Sequence, residues 1–416
     1  MKKIFCIAVG MFLYGGTLWA QQYDLVIKGG TVIDPKNNIY EKRDVAIKDG
    51  RIVEVAPEIE GKLGKQLVDA VGSYVTPGLI DLHTHHYWGT NLDQAYMNGP
   101  NAFPPDGFSL RNGVTTVVDA GSPGAETFYY YKEQTIKQSK TRVLAFLNIA
   151  KQGMRGGHFE QDTTQMEASL AAKVAKDNPE HIVGFKVAHF EGRSWAPVDQ
   201  AVKASDLAGG LPVMVDFGGA NPPLPIQELF FDHLRPGDIF THAFAEIPGR
   251  EYIVDIEKKR VKPFVHDARK KGIKFDVGYG GISFSFSQAV PAVKEGFYPD
   301  AISTDIHIGS MNGAMKDMLT VMSKFLVMGM DLPNVIAAST WQPAQIIKRE
   351  SLGHLSVGAL ADIAILHVRK GNFGYFDYKG TKVKGQKKLE CELTIRDGKI
   401  VYDLNGIAEP LVVRTP

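Results

Sequence analysis

The chain has 416 residues, 44% hydrophobic and 22% charged, a balance that excludes a disordered polymer and allows one large core plus a smaller module. Its 47 lysines and arginines stand against 46 acidic residues, so no basic field points to nucleic acid. Cys6 and Cys391 are the two cysteines, enough for one disulfide at most.

At the start of the chain, Lys2 and Lys3 precede an apolar run over 4–20 that ends at the polar pair Gln21 and Gln22. This is the layout of a secretory signal. Gly10, Gly15 and Gly16 interrupt the run and no charged stop follows it, so a retained membrane anchor is the weaker reading. Cys6 lies at the wrong end of the run for a lipoprotein. Residues 1–20 are expected to be cleaved, leaving a mature chain exported to the periplasm or beyond, with no stable membrane span. Loss of Lys2 and Lys3 takes the 47 basic residues to 45 against 46 acidic ones, and Cys391 is left without an intramolecular partner.

The next segment carries a motif that returns near the other end: 45–53 reads VAIKDGRIV and 393–401 reads LTIRDGKIV. Asp49-Gly50 and Asp397-Gly398 supply the positive φ of a two-residue turn, and β-branched residues flank both, so each predicts a β-hairpin. Residues 21–75 and about 355–416 are read as one small β-sandwich domain built from both chain ends.

Between them, glycines and prolines divide 76–354 into eight short apolar runs, at 78–83, 114–120, 143–149, 182–187, 212–217, 238–244, 275–278 and 301–305. Intervening stretches such as 164–178 and 251–271 suit covering helices. Eight strand-helix units predict an α/β fold of the (β/α)8 TIM-barrel type, with chemistry at the carboxyl ends of the strands.

Candidate chemical residues fall at those ends. His83 and His85 are two apart on a strand and share one face, where two imidazoles can bind one metal ion; alone, such a pair serves packing as readily. His86 faces the other way. Lys186 lies inside the apolar run 182–187, where an unpaired ammonium costs several kcal/mol. Snorkelling to the rim is the ordinary explanation; the other is a lowered pKa and a neutral amine that takes up carbon dioxide as an anionic carbamate ligand. His242 closes the sixth run and Asp305 the eighth.

This order of H-x-H, lysine, histidine and aspartate along a barrel resembles the amidohydrolase superfamily, in particular its branch with a carboxylated lysine bridging two metals. TPGLIDLHTH over 76–85, GVTTVVD over 113–119 and LSVGALADIA over 355–364 are also similar to that family, so the likeness spans nearly the whole mature chain. The resemblance implies that His83, His85 and Asp305 hold one divalent ion, most simply zinc, with Asp305 also acting as general acid and base. Lys186, carboxylated at its Nζ, would bridge to a second ion held by His242. One position departs from the pattern: where the family has histidine after the fifth strand, this chain has Asp216. Asp216 is then a ligand itself, or the second position is weak, empty or suited to a harder ion, so one or two ions per chain are expected.

The implied reaction is hydrolysis of an amide, cyclic amide or ester. Lys186 argues against a purine or pyrimidine deaminase. The segments at 234–238, 303–307 and 311–315 resemble the dihydroorotase-like deacetylase group, which removes acyl groups from small hydroxy or amino acids. Two alternatives stand beside that reading: a cyclic amidase of dihydroorotase or hydantoinase type, and a catalytically silent metal- or ligand-binding barrel. Arg155, after the third strand, is a candidate clamp for a substrate carboxylate, and Tyr279 a candidate for covering the pocket or hydrogen-bonding to substrate. His189, three residues beyond Lys186, is a spare ligand candidate. The expected partner is a small-molecule substrate, with self-association left open.

Overall fold

A computed structural model describes residues 21–216 and 219–409. The proposed signal at 1–20 and the end of the fifth run at Phe217 lie outside the described residues.

Seven parallel strands form one sheet in sequential order: β1 (Leu79–Thr84), β2 (Val114–Gly124), β3 (Arg142–Asn148), β4 (Ile182–Ala188), β5 (Val213–Asp216), β6 (Ile239–Phe240) and β7 (Lys274–Phe275). The eighth run closes the ring by single parallel bridges, Asp276 to Ala301 on one side and Thr84 to Ile306 on the other. Buried Asp81 seals that seam, accepting hydrogen bonds from Thr304 N at 3.0 Å and Thr304 Oγ1 at 2.5 Å. The strands read as apolar runs, not alternations, because both faces are covered: all residues of β1, β2 and β4 are buried.

The helix expected over 164–178 is α1 (Ala168–Asp177), whose buried Ala168, Ala171, Ala172 and Ala175 form one face at helical spacing. The expectation for 251–271 holds only in its second half. A small antiparallel pair, Val254–Asp255 with Arg260–Val261, comes first, turning through Lys259 at φ 50°, and α2 (Pro263–Lys271) follows. Pro263 marks the start because its ring is tolerated in the first turn and excluded from the interior.

Two further sheets come from the chain ends. One has the order 51–56, 44–48, 23–28, 64–69; the other runs 399–403, 382–396, 363–376, 74–77, 31–34, 39–42. Their facing apolar residues, among them Ile27, Val45, Ile47, Val75, Ile363, Leu393 and Ile395, form a core separate from the barrel's. Both Asp-Gly turns occur as read, with φ of 51° and 73° at Asp49-Gly50 and 48° and 74° at Asp397-Gly398. They also touch: a Cβ added at Gly398 would lie 2.7 Å from the Gly50 Cα, so glycine is required there for close approach as well as for its φ.

The strands Ile363–Phe376 and Lys382–Arg396 run past the sandwich and lay their far ends on the barrel. They meet α3 (Met318–Met328), where buried Lys324 donates to Tyr279 Oη (2.6 Å), the Ala314 carbonyl (2.7 Å) and the Phe376 carbonyl (2.8 Å). Lys324→Met removes the donor and leaves these buried oxygens short of a partner, at a cost of about 3 kcal/mol. Urea unfolding of this variant beside exposed Lys370→Met checks it; equal midpoints would refute the role of Lys324 in joining barrel to hairpin. Cys391 is buried in the same region, its thiol pushed up to about 12 by burial, and so is chemically quiet.

Candidate metal centre

The carboxyl ends of the barrel strands bring His83 (β1), His85 (just after β1), Lys186 (β4), Asp216 (β5), His242 (after β6) and Asp305 (eighth run) to one mouth, all of them buried. His85 Nε2 is 3.0 Å and His83 Nε2 3.6 Å from Asp305 Oδ1. Among the described residues, His83, His242 and Asp305 form the group whose ligand atoms lie within 4.8 Å of one another. Lys186 Nζ lies 3.2 Å from His83 Nε2, 3.6 Å from Met214 Sδ and 3.6 Å from Asp216 Oδ2.

The imidazoles are presented in a common way. His83 Nδ1 contacts Thr241 Oγ1 at 2.9 Å, and that hydroxyl donates onward to Asp276 Oδ2 at 2.6 Å. Having spent its proton on Asp276, Thr241 accepts from His83 Nδ1–H, which leaves Nε2 as the bare nitrogen. Ser303 Oγ completes the relay on Asp276 Oδ1 at 2.6 Å. His85 Nδ1 meets Ser122 Oγ at 3.0 Å, and His242 Nδ1 meets the Gly278 carbonyl at 2.5 Å. Gly278 admits this crowding: a Cβ there would lie 2.9 Å from both His83 Nδ1 and His242 Nδ1. In each case Nδ1 is anchored and Nε2 is turned towards the shared space, as outer hydrogen bonds orient histidine ligands of a metal.

Electrostatics agree with that role. Burial, with Lys186 nearby, pushes His83 down to about 3, so it stays neutral and able to ligate. Burial likewise lowers Lys186, against the pull of Asp216 and Asp305, and so favours its neutral, nucleophilic amine. Burial alone would raise Asp305, yet the surrounding His83, His85 and His307 hold it well below the usual carboxylate range. Asp216 is also held low against its burial, by His242, Lys186 and Arg250.

The two residues proposed for substrate contact divide. Arg155 sits on the loop after β3, its Nη1 on Gln152 Oε1 at 2.8 Å and its guanidinium 4.1 Å from the Phe159 ring centre. Tyr279 does not cover the pocket: it is fully buried, stacked on Phe284 at 4.3 Å, with its hydroxyl on the Phe376 carbonyl at 2.8 Å. The expectation failed because Gly278, at φ 45°, turns the chain and the aromatic ring seeks the core. His86 faces away as read, bonded through Nδ1 to the Phe103 carbonyl at 2.9 Å. Sequence reasoning missed the Thr241–Asp276–Ser303 relay, Arg250 on Asp216 Oδ1 at 2.6 Å, and Tyr96, whose ring centre lies 4.7 Å from that of His85.

A barrel mouth of inward imidazole nitrogens and ionised carboxylates defines a metal-dependent hydrolase. A model of the amidohydrolase family matches residues 285–401. A deacetylase from Enterococcus faecalis is 32% identical over 387 residues, 92% of this chain and 99% of that one. Among solved structures, one of an adenine deaminase is similar with a TM-score of 0.82 at 31% identity, over 92% of this chain and 100% of the other. One of a dihydroorotase has a TM-score of 0.78 at 27% identity, over 91% and 99%. The chain belongs to the amidohydrolase superfamily and is a hydrolase acting on carbon–nitrogen bonds.

Proposed function

We propose that the protein removes an acyl group, acetyl foremost, from a small amino or hydroxy acid, with zinc as its resident ion. The observation that carries this reading is the likeness to a deacetylase over 92% of the chain. The donor set suits zinc, which takes imidazole nitrogen and carboxylate oxygen together. His83, His85 and Asp305 would hold one ion, and His242, Asp216 and Lys186 face the adjoining space.

When bound, such an ion acidifies water and polarises the scissile carbonyl. Asp305 takes the proton of the attacking water and returns it to the departing nitrogen or oxygen, the service of a general acid and base. The relay through Thr241 and Asp276 keeps the His83 ring from rotating while charge moves beside it. Lys186 is the site of carboxylation: its amine nitrogen bonds to the carbon of carbon dioxide, one N–H proton leaves to solvent, and an anionic bidentate group results. Arg155 is the proposed clamp for the substrate carboxylate.

The test is a substrate panel offered to zinc-loaded protein: N-acetyl and O-acetyl amino and hydroxy acids, dihydroorotate, hydantoin and adenine. Acetate release from an acetylated acid is the expected outcome. Ring opening or ammonia release in its absence would move the assignment to a cyclic amidase or a deaminase. Export is proposed from the charged and apolar start of the chain, with cell fractionation and amino-terminal sequencing of the mature protein as its test. Among the described residues, no helix is long and apolar enough to cross a membrane.

A further inference from the structure

At Asp216 this chain departs from the superfamily pattern, and the role inferred for its neighbours rests on the barrel mouth being a metal centre. Asp216 Oδ2 faces nitrogens from three directions: His242 Nε2 at 3.1 Å, Lys186 Nζ at 3.6 Å and His189 Nε2 at 3.6 Å. Its other oxygen is engaged by Arg250 at 2.6 Å. One oxygen is thereby anchored outward while the other remains among the nitrogen donors.

His189 is presented as the three imidazoles above are. Its Nδ1 lies 3.0 Å from Oε2 of Glu160, a carboxylate brought in from 29 residues earlier. Glu160 is only 4% exposed, and its Oε1 accepts from Gly156 N at 3.2 Å. A buried carboxylate on Nδ1 fixes the ring and aims Nε2 at Asp216. The His189 amide also donates to the Asp216 carbonyl at 2.9 Å, tying the two strand ends together.

The backbone gives an independent sign. His189, His242 and Asp305 have φ of 53°, 55° and 49°, a left-handed conformation that is uncommon for residues other than glycine. Such strain gathers at functional sites, where it aims a side chain that an extended strand would point elsewhere. Of the ten non-glycine residues with positive φ among the described residues, these three lie at the carboxyl ends of barrel strands; two belong to the metal centre already described, and the third is His189.

We propose that His189, oriented by Glu160, supplies the imidazole of a second cation position completed by Asp216 and His242. It replaces, from the end of β4, the histidine that β5 lacks.

The experiment reads metal content and affinity, not turnover. Full-length protein is stripped with a chelator and reloaded with zinc, and bound zinc is measured by elemental analysis after desalting and by calorimetry. Wild type is expected to take up two equivalents. His189→Asn should retain one, and Glu160→Gln should weaken the second by ~10–100-fold, as loss of an orienting partner does. His189→Asn combined with Asp216→His should regain the second equivalent, which separates a lost ligand from a damaged fold. Two equivalents of unchanged affinity in His189→Asn would overturn the proposal. A single equivalent in wild type would overturn it too, while leaving the metal-dependent hydrolase intact; no zinc at all in wild type would overturn both.

Discussion

Asp305→Asn is expected to lower kcat by about 10²–10⁴-fold, the usual contribution of a general acid or base. The carboxylate sits 3.0 Å from His85 Nε2, and its backbone is pinned by a hydrogen bond from Asp305 N to the His83 carbonyl at 2.7 Å. Ser310 Oγ donates to the Asp305 carbonyl at 3.0 Å and holds the left-handed turn from the other side. Asparagine has the same shape and an oxygen able to ligate, but it can neither accept nor return a proton. The loss should therefore fall on kcat with bound zinc largely retained, and steady-state kinetics beside metal analysis will read both. Unchanged kcat at full metal content would remove Asp305 from the proton-transfer role.

Lys186→Ala is expected to be comparably severe, for a different reason. Lys186 Nζ has an imidazole nitrogen, a thioether sulfur and one carboxylate oxygen at 3.6 Å around it, a poor set of partners for a buried ammonium. Truncation leaves a hole at the mouth bordered by His83 and Asp216, and a small carboxylate such as acetate or formate fits there in place of a carbamate. Turnover of Lys186→Ala should fall by at least ~10²-fold, the scale of a lost metal-supporting group, and rise again with added carboxylate. Native mass spectrometry of wild type should show the added mass of carbon dioxide, lost on acidification. No rescue together with no adduct would mean that Lys186 acts as a plain amine.

The sequence made the barrel legible because parallel strands covered on both faces leave unbroken apolar runs, and seven of the eight runs became named strands. The eighth, ending at Asp305, makes only isolated bridges, and the polar bonds of Asp81 complete its seam. His83 and His85 were readable from strand alternation, and Lys186 from a charge inside an apolar run. Thr241, Asp276 and Ser303 were not, since hydroxyls and carboxylates at strand ends are ordinary caps until the fold places them behind a histidine. Glu160 and His189 have no shared periodicity, and only barrel closure brings them together. The long hairpin of Ile363–Phe376 and Lys382–Arg396 was hidden for another reason: the second strand begins with the lysine-rich stretch 382–388, which carries no apolar run to mark a strand.

Hydrolysis by this barrel requires an ion at its mouth. The most direct measurement is an anomalous difference map at the zinc edge from crystals of reloaded protein. The predicted result is a peak within bonding distance of His83 Nε2, His85 Nε2 and the Asp305 carboxylate. A map without a peak at the mouth, with His85 still hydrogen-bonded directly to Asp305 in zinc-saturated crystals, would contradict it.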